Sequence, residues 1–276
     1  MKKTSFLFAA AFCFSTTAFT QSNATLHLQK GQKFKVENKI ETTSSTQVQG
    51  QAMDSKANIT STYNIEVKDK VNDNYNLSNT ISHILMNMEM MGQSINFDSD
   101  KKEDMDGMVG EGLKDYINKP QDVQMDNSGK IISDPKDTSK ATAIAKQLNF
   151  AQSGYGTQMT FLAIPKNSKV GASWTTKTNA EGIESTNNYT IKEINGDVAT
   201  VALAGTVSTN MTMKQNGMDV VTKTSGKMSG EEKVNIKTGV IQSSTTTGDA
   251  SGTVTAMGQD FPSSTKLTST TTVTSL

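Results

Sequence analysis

The chain has 276 residues, with 27 lysines and no arginine balancing 27 acidic residues, so the formal net charge is zero. Lacking arginine's bidentate fork and any basic cluster, it is poorly equipped to hold nucleic acid. Hydrophobic residues make up 34% and aromatics 6%, and serine and threonine are abundant instead, a composition that suits antiparallel sheets wetted on one face.

Residues 1–20 read as a secretory signal. Lys2-Lys3 form the charged end, Phe6 to Phe14 a short apolar core, and a polar Ser15–Thr20 tract follows. The core is too short to span a bilayer, and no later apolar run is long enough for a transmembrane helix. Cys13, the single cysteine, lies inside that core, so the mature chain has no disulfide and no thiol chemistry.

Residues 21–135 read as a first β-rich repeat. Lys33 to Val48 is a strand with Phe34, Val36, Asn38 and Ile40 on one face. Gly50-Gln51 turns it into Ala52–Lys68, and Asp69–Asn74 turns that into the long strand Tyr75–Met91. Inward residues of this strand switch from odd (Tyr75, Leu77, Ile81) to even (Ile84, Met86, Met88, Met90). A slip of one residue turns every later side chain to the other face, so the pattern predicts a β-bulge near Ser82-His83. The acidic loop Asp98–Asp106 is an insertion in this repeat. It has only a fragment of a calcium loop's spacing, and we read it as solvated. Met108–Tyr116 is a short helix, and Val123–Met125 pairs with Lys130–Ile132 as a small hairpin.

Residues 136–165 read as a helical connector. Lys136–Phe150 carries Ala141, Ile144, Ala145 and Leu148 at the spacing of one buried helix face, and Tyr155–Ile164 is helical or irregular. Residues 166–276 read as a second β-rich repeat, with strands Ser173–Thr178, Ile183–Glu193, Val198–Lys214, Met218–Ser225, Glu231–Lys237, Val240–Ala256 and Phe261–Thr274. Asn216-Gly217 is a hairpin turn in it. Matching Tyr63 to Tyr189 places Leu77 on Leu203. The predicted fold class is therefore mainly β with a few helices (α+β): two tandem duplicated curved antiparallel sheets or half-barrels with helices between them.

No residue pattern supports catalysis, and no cofactor is implied. The two histidines, His27 and His83, are far apart in sequence, His27 in what reads as a frayed segment and His83 at the predicted bulge. Neither forms a Ser-His-Asp or Cys-His set, and no metal site is expected. The methionines are the unusual feature. Met86, Met88 and Met90, with Met211 and Met213, cluster on matching strands near Tyr75. Methionine is flexible and polarisable and serves adaptable apolar surfaces. Three readings arise: a Met-lined concavity for an apolar or lipid-like ligand, a sheet core filled with methionine in place of leucine, and copper binding through thioethers, which no histidine cluster supports.

Phe34 after Lys30-Gly31, the Met-Gly-Gln hairpins, and Val170–Trp174 after Pro165 carry a resemblance, as do Lys237–Ile241, Met257-Gly258-Gln259 and Thr270–Val273. On these residues the chain resembles a group of exported Bacteroidota proteins known only as a domain of unknown function. The resemblance implies a β-rich fold at the periplasmic or extracellular face of the envelope, and no catalytic residues. Many members are similar to lipoproteins, and this chain departs from them in lacking a usable lipid-attachment cysteine. The functional expectation is a non-catalytic exported protein whose partner is a lipid or other apolar ligand. The alternative is a structural or interaction module that holds an envelope protein.

Overall fold

A computed structural model describes residues 24–48, 50–90, 92–133, 155–180, 182–215 and 218–276. In chain order they form β1 (Lys33–Val48), β2 (Gln51–Val71), β3 (Asn74–Met90), β4 (Gln93–Asp98), α1 (Lys102–Met105), α2 (Met108–Leu113), β5 (Gln121–Asp126) and β6 (Ile131–Ser133). There follow α3 (Tyr155–Gln158), β7 (Ser173–Ala180), β8 (Ile183–Asn195), β9 (Val198–Gln215), β10 (Met218–Asn235), β11 (Ile241–Ala256) and β12 (Gln259–Ser275). The predicted helix over 136–150 and the turn at Asn216-Gly217 lie outside the described residues.

These strands make one large antiparallel sheet, not two. Its order is β6-β5-β3-β2-β1-β12-β11-β10-β9-β8-β7, with β4 beside the far half of β3. The sheet is open, with β6 and β7 at its two ends. The two halves are zipped together by β1 on β12, from Phe34 opposite Ser275 to Thr46 opposite Ser263. That pairing is why a two-sheet reading fails: strand alternation fixes which face a residue takes, and says nothing about which strand lies alongside.

Alternation is nearly unbroken. Along β12, Thr265, Leu267, Ser269, Thr271 and Val273 are buried and every residue between them is exposed. The bulge predicted at Ser82-His83 is present: Thr62 pairs with His83 and Tyr63 with Ile81, leaving Ser82 over. It brings Ile81 and Ile84 both into the core. Glycine misled the reading in one place. Residues 226–230 look like a break, yet β10 runs straight through Gly226 and Gly230. A Cβ on Gly230 would stand 2.4 Å from the Thr245 carbonyl oxygen, and one on Gly226 would stand 2.0 Å from that of Asp249. Glycine lets neighbouring strands approach this closely on the inward side.

The two halves share local construction. Gly31 N–H donates to the Val67 carbonyl at 2.8 Å and Val67 N–H to that of Gln32 at 2.9 Å; Gly171 donates to Ile191 at 2.8 Å and Ile191 to Ala172 at 2.9 Å. Each half then has a one-residue bulge, at Lys68 and at Lys192. Each turns through a residue of positive φ, Asn72 at 56° and Gly196 at 59°. In these terms Val67, Leu77 and Asn72 correspond to Ile191, Val201 and Gly196. The sequence match of Tyr63 with Tyr189 and Leu77 with Leu203 is two residues out: Tyr189 stands where Ile65 stands, and Leu203 where Asn79 stands.

The main core fills one end of the inward face, where side chains of both halves meet. Two connecting segments plug it. Ala24–Leu28, which the sequence suggested was frayed, is clamped between the halves. Leu26 N–H donates to Asn127 of the first, His27 N–H donates to Thr238 of the second, and Leu26 is 1% exposed. The second plug, Phe161–Ile164, is buried, bridges to Val240, and sets Phe161 edge-on to Phe34 at 5.6 Å. Of the stretch read as helical or irregular, only Tyr155–Gln158 is helical.

Candidate functional site

The residues singled out by sequence do not share one location. Tyr75 is fully buried in the main core, where its hydroxyl donates to the Leu26 carbonyl at 2.7 Å and accepts from Leu28 N–H at 3.3 Å. Met86 is buried in the same core, and Met88 packs against it half-buried. Met90 is half-buried near the β3–β4 tip. Met211 lies on another strand, against a separate cluster of Ile183, Val207 and Met228. The Met213 side chain lies outside the described ones. A further small cluster, Val220, Val254 and Ala256 with Phe261, occupies the inward face near the far hairpins. These two clusters are not joined to the main core.

Tyr63 and Asn187 occupy corresponding inward places in the two halves, opposite Ile81 and Gly205. Val123, opposite Leu77, corresponds in the same way to Glu232, opposite Val201. Tyrosine, isoleucine and valine fill the first half; asparagine, glycine and glutamate leave the second half underfilled and polar. Here lies a small, partly enclosed cavity of about 60 Å³ lined by Gln158, Met159, Ser185, Asn187, Tyr189, Leu203, Met228, Glu232, Ile241, Ser244, Thr246, Ser269 and Thr271. Glu232 is 9% exposed, and its Oε2 has no hydrogen-bond partner among the described residues, nor has Gln158 Oε1. Burial raises the Glu232 carboxyl to about 7, because a charge is expensive to hold away from water. Burial, and then the nearby Glu232, push the Tyr189 phenol far up. On the other side of the cavity Asn38 Nδ2 donates to Ser269 Oγ at 3.0 Å and Thr271 Oγ1 at 2.9 Å. Sequence reasoning missed Glu232, although the signal existed: Met228 and Val234 share its parity, so alternation turns Glu232 inward and Glu231 outward.

A second concavity, of about 930 Å³, is lined mostly by serine, threonine and charged residues. It runs across β4, β3, β2, β1, β12 and β11 and includes Lys56, Glu89, Asp249 and Lys266, with Met90 and Gly92 at its margin. Lys56 stands opposite Glu89 and Asp249 opposite Lys266 on adjacent strands, arrangements that support the sheet.

The bulge aims His83 at the acidic loop. Its Nε2 lies 3.0 Å from Asp98 Oδ1 and 3.7 Å from Asp100 Oδ2. A hydrogen bond from the Asp100 backbone, then one from His83, lowers the Asp98 carboxyl. Neither concavity above includes His83. Among the described residues this is the one group of three with metal-ligand spacing, and hydrogen bonding within the loop accounts for it.

The sequence matches a family described as a family of unknown function, DUF6263, over residues 72–134 and 138–241, more than half of the chain. The chain belongs to this DUF6263 family. No curated protein matches it. Among solved structures it is similar to lipovitellin, in a study of lipid–protein interactions, at 11% identity and a TM-score of 0.48, covering 90% of this chain and 25% of that one. It is also similar to an outer-membrane channel from Pseudomonas putida F1 at 8% identity and a TM-score of 0.26, covering 93% and 100%. A third is the translocator domain of the autotransporter NalP from Neisseria meningitidis, at 4% and 0.21, covering 89% of each chain. The chain thus spans about a quarter of lipovitellin's length. Among the described residues of this DUF6263 protein no helix is long and apolar enough to cross a membrane.

Proposed function

We propose that this DUF6263 protein is an exported, non-catalytic binding protein that holds an apolar or lipid-like ligand against the inward face of its sheet. The leader-like residues 1–20 support export to the envelope. One observation supports the ligand class: the inward face carries apolar side chains beyond the packed core. The clusters around Val207 and around Val254 are separate from that core, and Met211 and Phe261 beside them are only half-buried. A one-sided antiparallel sheet requires cover over such a face, and a flexible methionine surface adapts to chains of varied shape. Protein isolated from its host and analysed by native mass spectrometry is expected to carry a co-purifying apolar molecule, and to bind a fluorescent fatty-acid analogue. Phe261→Lys is expected to weaken that binding about tenfold. Protein that comes out bare and ignores the analogue would remove the reading.

The second reading is a structural or interaction module at the envelope. It is supported by the 930 Å³ concavity, whose serine, threonine and paired charges suit a polar protein surface. Cross-linking in intact cells should then trap a partner at Lys266, and Lys266→Glu should abolish the product.

A further inference from the structure

Glu232 is the one buried charged side chain among the described residues. Its counterpart in the first half is Val123, buried at 2% exposure in the main core. An acid in such a slot destabilises the fold unless something answers its charge. The cavity that it lines presents several acceptors. Glu232 Oε2 and Gln158 Oε1 are buried and without partners among the described residues, and Thr246 and Ser244 hydroxyls lie beside them. Leu203 and Ile241 line the same cavity as apolar members of its wall.

We propose that this cavity binds a small primary ammonium group, with Glu232 and Gln158 accepting its N–H donors and Leu203 and Ile241 packing a short alkyl stem. Acceptor oxygens match an ammonium's three donors, and the carboxylate matches its charge. A bare metal ion fits less well, because Met159, Leu203, Met228 and Ile241 in the wall offer it no oxygen. About 60 Å³ admits a few heavy atoms and excludes a bulky quaternary amine. The site shares Met228 with the clusters behind the apolar-ligand reading, but it rests on Glu232 and Gln158, which that reading does not use.

Isothermal titration of the full chain with ethylammonium chloride at pH 8, against tetramethylammonium chloride at equal ionic strength, tests this. Saturable binding of ethylammonium alone is expected. At pH 5.5 the carboxyl is largely protonated, and binding should fall roughly thirtyfold, given a carboxyl near 7. Tyr189 is the other titratable side chain lining the cavity, and it stays neutral at both pH values. Glu232→Gln, which keeps shape and removes charge, should abolish binding. Equal binding of the two cations, no saturation at pH 8, or unchanged affinity in Glu232→Gln would overturn the proposal. If that variant fails to fold, the comparison of pH 8 with pH 5.5 on the unaltered protein decides alone.

Discussion

Val123 and Glu232 occupy the same place in two similarly built halves of one sheet, and they have opposite chemistry. Each sits across from an apolar residue, Leu77 or Val201, one strand away. The entry hydrogen bonds, the bulge and the positive-φ turn recur around both. Backbone construction is thus common to the halves, while the side chains that fill the hollow are not. In the first half Tyr63, Ile81 and Val123 close it. In the second Asn187, Gly205 and Glu232 leave it open and able to hold charge. A departure from a pattern kept elsewhere in the same molecule is where a function is to be sought.

That comparison can be broken or sharpened experimentally. The largest effect is expected from Leu26→Ala, because Leu26 joins both halves. Truncating a fully buried leucine costs about 3–4 kcal/mol, and urea unfolding should show both halves losing stability in one transition. Two separate transitions would mean that the halves are independent. Next is Glu232→Val, which copies the first half into the second. With a folded value of about 7 against an ordinary 4.5, Glu232 favours the fold fully below pH 4.5. That contribution, about 3 kcal/mol, is lost as pH rises to 7 and is absent above it. Unfolding of the native protein measured between pH 4 and 8 should show this decline, and the valine variant should lack it. A smaller change, about 1–2 kcal/mol, is expected on deleting Ser82. This removes the bulge that the second half lacks while leaving the inward alternation intact; loss of the fold on deletion would mean that the bulge is indispensable. Smallest is Gly196→Ala, costing about 1 kcal/mol because alanine resists φ near 59°. Asn72→Gly at the corresponding turn should be close to neutral, as thermal melts would show.

Much of the strand plan was legible. Period-two alternation located the strands, and a change of parity between Ile81 and Ile84 located the bulge. Partnership was not legible. Nothing in β1 or β12 alone says that Phe34 faces Ser275, so one sheet read as two. The Ala24–Leu28 plug is too short to show a period, and it is held by backbone hydrogen bonds that leave no sequence mark. Glycine at 226 and 230 read as punctuation because its close-packing role depends on a neighbouring strand. Glu232 went unnoticed in a strand rich in serine and lysine, although its parity with Val234 turns it inward. The methionines were easy to see, and their dispersal between the main core and a separate cluster was set by partnership again.

The seam between β1 and β12 also constrains assembly. It joins residues such as Asn38 and Ser269, 231 apart in the chain, in the middle of the sheet. β1 must therefore wait, with one edge unpaired, until β12 has been made. Such long loop closure slows folding and leaves a sticky edge exposed meanwhile. A chaperone that shields this first strand should be a condition of good yield, and a circular permutant placing the two strands in tandem should fold faster.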